Sequence, residues 1–133
     1  MKKIVLTIVV IAVGLGLFSY SACGIFYYTI SGTWTMVKVV DGISETTTIT
    51  FRGGRKGGDV VWNDFYMGFY EYENSVLEFS MSYGDNVGYE KTGSEQYTGG
   101  FDDEDLTSGT FTGNYQGPVV STVTGTWTAT RNN

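Results

Sequence analysis

The chain has 133 residues, with 19 Gly, 1 Pro, 1 Cys and no His, and a formal charge of −6. That length holds one domain, and the acidic balance excludes the basic footprint of a nucleic-acid binder. Without His the commonest general base and the usual zinc ligand are missing, and a single Cys makes neither an intrachain disulfide nor a thiolate zinc cluster.

At the N-terminus, Met1, Lys2 and Lys3 form a positive head. Ile4 to Phe18 (IVLTIVVIAVGLGLF) is uncharged and almost wholly apolar, and Ser19, Ser21 and Ala22 then lead to the only cysteine, Cys23. A basic head, a short apolar run and a small-residue site read as a secretory signal peptide over residues 1–22. The run is shorter than the ~20 apolar residues of a membrane-spanning helix. Carried through Ala22 it approaches that length, which leaves an uncleaved signal anchor as the alternative.

Ser21 and Ala22 stand before Cys23 as the small residues of a lipobox stand before its lipidated cysteine, so the segment resembles a bacterial lipoprotein signal. The resemblance implies a lipid thioether and an acylated amino group on Cys23, with each buried CH₂ contributing about 0.8 kcal/mol of membrane affinity. Gly24, rather than Asp, follows the cysteine, which implies delivery to the outer membrane, facing the periplasm. Without its first 22 residues the chain has 111, with six basic residues against fourteen acidic ones and a net charge of −8. Acyl chains rather than a basic patch would therefore hold it to a membrane. The apolar stretch Gly24 to Tyr28 is expected to pack on the domain or lie in the membrane interface.

The remainder alternates with period two, the signature of strands. Trp34, Met36, Lys38 and Val40 share one face of a first strand, which the Asp41-Gly42 turn signal ends. Thr47, Ile49 and Phe51 share a face of the next, from Glu45 to Phe51. A loop from Arg52 to Gly58 (RGGRKGG), a short strand from Asp59 to Trp62 and a turn at Asn63-Asp64 follow. From Phe65 to Tyr72, strict alternation places Phe65, Met67 and Phe69 inside and Tyr66, Tyr70 and Tyr72 outside. Beyond the Glu73-Asn74-Ser75 turn, Val76 to Tyr83 sets Leu77, Phe79, Met81 and Tyr83 against Glu78, Ser80 and Ser82. A turn at Gly84-Asp85-Asn86 leads to weaker strands, Val87 to Glu90 and Glu95 to Phe101, around a loop from Lys91 to Ser94. Leu106 to Tyr115 groups Phe111 and Tyr115 with Gly109 and Gly113. After Gln116-Gly117-Pro118, the last strand, Val119 to Arg131, sets Val119, Val123, Trp127 and Ala129 against a row of threonines.

The expected fold is all-β, a small antiparallel up-and-down barrel of about eight strands. Closure is favoured over a sandwich because it removes edge strands, and Pro118 is the only proline available to blunt one. Gly32-Thr33-Trp34-Thr35 recurs as Gly125-Thr126-Trp127-Thr128 in the last strand. First and last strands become neighbours on closure, so both tryptophans are expected to seal one end of the barrel.

Gly32-Thr33-Trp34 resembles the Gly-x-Trp that opens the first strand of lipocalins. The resemblance implies a barrel that holds a small apolar ligand, and an arginine near the last strand, here Arg131, packed over the tryptophan. On that reading Trp34, Phe69, Leu77, Phe79, Met81 and Trp127 would contact the ligand.

No nucleophile–base pair or carboxylate signature is present, so neither catalytic residues nor a cofactor is expected. The acidic run Asp102 to Asp105 reads as a solvated loop rather than a metal site, and Arg52 to Gly58 as a flexible hairpin loop rather than an anion cradle. Two functions remain. One is a lipid-anchored envelope barrel that carries a small hydrophobic molecule. The other is a non-enzymatic envelope module, an inhibitor or assembly protein, that binds a protein with the Tyr66, Tyr70 and Tyr72 face. An open cavity would favour the first and a filled barrel the second.

Overall fold

The computed structural model describes residues 28–84, 92–116 and 120–133. The strands are β1 (Gly32–Val40), β2 (Ile43–Gly53), β3 (Gly57–Trp62), β4 (Phe65–Glu73), β5 (Val76–Tyr83), β6 (Thr92–Asp103), β7 (Leu106–Gln116) and β8 (Ser121–Arg131). Each pairs antiparallel with the next and β8 returns to β1, so the all-β fold is a closed eight-strand barrel. The signal segment, Cys23, the strand expected from Val87 to Glu90 and the turn residues Gly117 and Pro118 lie outside the described residues.

Three hairpins follow from turn chemistry. Both central residues have positive φ at Asp41-Gly42 (50° and 78°), Asn63-Asp64 (47° and 63°) and Asn74-Ser75 (52° and 65°). Two-residue turns of this kind match the right-handed twist of the strands they join. The loop expected from Arg52 to Gly58 contracts to Gly54–Lys56, because β2 runs on to Gly53 and β3 begins at Gly57. Gly53 pairs with Gly58, and the missing side chains leave room for Tyr70, whose hydroxyl donates to the Gly54 carbonyl at 2.6 Å. Three residues of the loop expected from Lys91 to Ser94 are strand instead, and Lys91 lies outside the described residues. Thr92–Ser94 belong to β6, where Gly93 and Ser94 pair with β5 and all three residues pair with β7.

The largest departure is in β4. Val60 pairs with Gly68 but Val61 pairs with Tyr66, so Met67 is an extra residue, a β-bulge. An inserted residue inverts the faces of everything after it. Tyr70 is therefore buried and Tyr72 half-buried inside the barrel, while Phe69 points outward, 58% exposed. Strict alternation placed these three the other way round. Tyr66, ahead of the bulge, lies outside as expected.

Within the barrel, Phe79 stacks on Tyr97 (centroids 4.3 Å apart) and Tyr97 on Phe111 (5.3 Å). Trp127 meets Phe79 edge-on at 5.3 Å, and Phe51 meets Phe79 at 5.1 Å. Gly99 faces Gly109 across β6 and β7, and Gly109 faces Trp127. A Cβ on Gly99 would come within 2.8 Å of the Trp127 ring, so the paired glycines form the floor on which the indole lies.

One end of the barrel is closed by the chain itself. Trp34 Nε1 donates to the Ile30 carbonyl at 2.7 Å. Arg131, the register partner of Trp34, holds its guanidinium 4.3 Å from the Trp34 ring centroid. It also donates to the carbonyls of Ser31 (2.9 Å) and Thr29 (2.6 Å) and pairs with Asp105 at 3.1 Å. Trp127 pairs with Lys38 instead of with Trp34. The repeated tetrapeptides run in opposite directions along neighbouring strands, so their rings occupy two levels and only Trp34 seals the base.

Candidate functional site

Lys38 shares the inward face of β1 with Trp34 and Met36, and Glu95 shares that of β6 with Tyr97. Barrel closure brings these two strands face to face across the interior. Lys38 Nζ lies 3.1 Å from Glu95 Oε1 and 3.3 Å from Oε2. Both residues are buried, 7% and 2% exposed. Tyr83 donates to Oε2 at 3.0 Å, Tyr97 also donates to Oε2, and Tyr115 donates to Oε1.

Register explains this convergence. Glu95 pairs with Met81 on one side and Gly113 on the other, while Tyr83, Gly93 and Tyr115 are aligned two residues away. Gly113 has no side chain to block Tyr115, whose hydroxyl would lie 2.6 Å from a Cβ there. Lys38 reaches from the far wall, 5.7 Å from the Phe111 centroid, and Glu45 at the rim approaches it at 3.7 Å. Burying an ammonium and a carboxylate costs several kcal/mol each unless both are paired and fully hydrogen-bonded. The three phenols and the ammonium meet that demand and tie opposite walls together.

Burial raises the Tyr97 phenol well above the usual tyrosine range, and the neighbouring Glu95 charge raises it further. The folded state therefore keeps a proton that the unfolded chain releases above about pH 10. Stability attributable to Tyr97 is present in full below that pH and falls above it, by up to ~1.4 kcal/mol per pH unit. Urea midpoints between about pH 8 and pH 11 should show this decline, and Tyr97→Phe should flatten it. An equally steep decline in the variant would refute the assignment.

Of the residues expected to contact a ligand, Trp34, Leu77, Phe79, Met81 and Trp127 do meet inside the barrel, each at most 3% exposed. Little of their surface meets solvent, although Phe79 also borders a cleft of about 110 Å³ in the wall. Phe69 is not among them, because the bulge turns it outward. The expected outer row of Tyr66, Tyr70 and Tyr72 does not exist as a row. The exposed aromatics of β4 are Phe65, Tyr66 and Phe69, at 50%, 62% and 58%.

In the acidic run, Asp102 accepts from Ser108 Oγ at 2.6 Å and Asp103 from the Asp105 N–H at 2.8 Å. Among the described residues no group of three or more His, Cys, Asp and Glu side chains is placed to hold a metal ion. A cleft of about 350 Å³ opens at the other end of the barrel, lined by Tyr83, Gly93, Ser94, Asn114, Tyr115 and Val120.

Lys38, Tyr83, Glu95, Tyr97 and Tyr115 escaped the sequence reading as a site. The available signal was a charge on the apolar face of each of two strands. That signal names two candidates and does not pair them. No family model, curated protein or solved structure matches the chain.

Proposed function

We propose that the chain is a lipid-anchored protein of the cell envelope, held at the outer membrane, whose barrel is a non-enzymatic module that binds a protein with its outer wall. The filled interior carries this reading: the side chains that would line a ligand cavity stack on one another instead. A small barrel has room for its own side chains and little else. The lipocalin-like resemblance draws support from Arg131 lying over Trp34 in an eight-strand barrel.

Lipid attachment at Cys23 suits the geometry. Apart from the Lys38–Glu95 cluster the barrel core is mainly apolar, and β8 presents exposed threonines at positions 122, 124, 126, 128 and 130 outside. That is the reverse of a barrel that spans a membrane, so any membrane attachment would come from outside the barrel wall. Cys23 precedes Tyr28 by five residues, a reach of at most ~18 Å. The end closed by Trp34 and Arg131 would then face the bilayer.

Two measurements test the proposal. Labelled palmitate should enter the wild type and not Cys23→Ser; equal labelling overturns the anchor. A fluorescent fatty acid titrated into the purified protein should show no saturable binding. Stoichiometric binding would restore the hydrophobic-carrier reading in place of outer-wall recognition.

A further inference from the structure

Charge is unevenly spread over the outside of the barrel. The outward positions of β3, β4 and β5 include Asp59, Glu71, Glu73 and Glu78. On β7, β8, β1 and β2 as far as Thr50, which are neighbours in that order, none of the described outward residues is charged. Glu45 on β2 is turned inward to Lys38 at the rim. Threonine fills most of this sector, including every second residue of β8 from Thr122 to Thr130. The chain carries a formal charge of −6, so two copies repel wherever their acidic walls meet. The neutral sector is where that repulsion is weakest.

The sector also has an apolar strip. Val37 and Val39 lie half-buried on the outward face of β1. Val37 pairs with Thr128 on one side and Thr46 on the other, and Val39 pairs with Thr126 and Ser44. The most exposed large hydrophobic residues described, Ile43 (76%) and Val120 (74%), stand at the mouth end of the same strands. An apolar strip framed by polar, uncharged groups has the make-up of a protein interface, from whose centre charged residues are depleted. Thr and Val also have few rotamers to lose when a partner covers them, unlike Lys and Glu.

We infer that this wall packs against the same wall of a second copy about a two-fold axis, with Val37 and Val39 near its centre. The outer-wall reading thereby gains a named partner. Identical surfaces meet in a two-fold interface, so each group must suit its own kind. A hydroxyl does, because it both donates and accepts, whereas a carboxylate only accepts and an ammonium only donates. Thr33 and Thr50 form such a pair within the wall itself, Oγ1 to Oγ1 at 3.1 Å. Four strands at ~4.8 Å spacing and ~36 Å length span roughly 700 Å², inside the range of about 600–1,000 Å² that a stable interface covers on each partner. A basic partner would find no acid here to hold it, and an anionic surface no cation.

The experiment is sedimentation equilibrium of the full-length protein in a density-matched neutral detergent, over a range of protein-to-detergent ratios. The protein should sediment as a dimer that dissociates on dilution. Thr126→Glu and Val37→Glu should each weaken the dimer at least about tenfold, because each sets like charges facing across the axis. Thr126→Ser keeps the hydroxyl and should remain dimeric. Ser82→Glu adds the same charge to the outer face of β5 and should leave the dimer unaltered. Circular dichroism spectra should be the same for all four variants and the wild type.

A monomer at every ratio, a dimer equally weakened by Ser82→Glu, or a dimer untouched by both Thr126→Glu and Val37→Glu overturns the inference. A mass that grows beyond two copies also overturns it, because a two-fold interface closes on itself. A monomer that binds no fatty acid removes the second copy and leaves the outer-wall reading with a different protein as its partner. Saturable fatty-acid binding beside an intact dimer removes that reading and leaves the second copy in place.

Discussion

Glu95→Ala is expected to destabilise the barrel by about 3–5 kcal/mol, since removing one partner of a buried ion pair strands the other. Lys38 is 7% exposed and has Glu95 at 3.1 Å as its close counter-ion. Glu45, at 3.7 Å with a side chain 60% exposed, is screened by water and replaces little of that attraction. Tyr83, Tyr97 and Tyr115 would lose their carboxylate acceptor in the same step. Glu95→Gln keeps an acceptor oxygen and nearly the same volume, so its loss should be smaller. Lys38→Met combined with Glu95→Leu removes both charges and should recover the part of the loss that comes from the stranded ammonium, while the three phenols still lack their acceptor. Denaturant midpoints for Lys38→Met, Glu95→Leu and the double close this cycle. A Glu95→Ala midpoint within experimental error of the wild type would show that the pair carries no such burden.

The second large effect belongs to the base. Trp34→Ala should cost about 3–5 kcal/mol, the range for deleting a buried aromatic ring. Trp34 is fully buried, and its loss would remove the donor to Ile30 and the ring under Arg131. Arg131 also holds the carbonyls of Thr29 and Ser31, so the segment ahead of β1 should loosen along with the core. Thermal melting reads the first effect, and limited proteolysis near residue 30 the second. Trp34→Phe keeps most of the apolar contact and loses the hydrogen bond, so it should cost far less, on the order of 1–2 kcal/mol. A proteolysis pattern in Trp34→Ala identical to the wild type would mean that the segment is held by other contacts.

Much of the barrel was legible because its signals are local. Val76 to Tyr83 appears as β5 with the same bounds and the same inward set, Leu77, Phe79, Met81 and Tyr83. Its faces differ sharply in polarity, and a period of two needs only a few residues to be seen. The turns at Asp41-Gly42, Asn63-Asp64 and Asn74-Ser75 were legible for the same reason, since left-handed backbone selects a short list of residue types. β4 was not legible. It has aromatic residues on both faces, so no polarity contrast marks the change of side at Met67. A bulge is also a relation between two strands, visible only once Val60 and Val61 are matched against β4.

Lys38 and Glu95 mark the same limit at longer range. They lie 57 residues apart, and each alone is an anomaly on an apolar face. The sequence by itself determined the strands, most of their inward sides, the tight turns and the all-β architecture, because each depends on residues a few positions apart. Only the tertiary structure decided that Phe69 leaves the core, that Tyr70 and Tyr72 enter it, that the interior is filled, and that one carboxylate gathers an ammonium and three phenols. Those outcomes depend on which strands become neighbours and in what register, and register is an energy shared between strands rather than a property of either one.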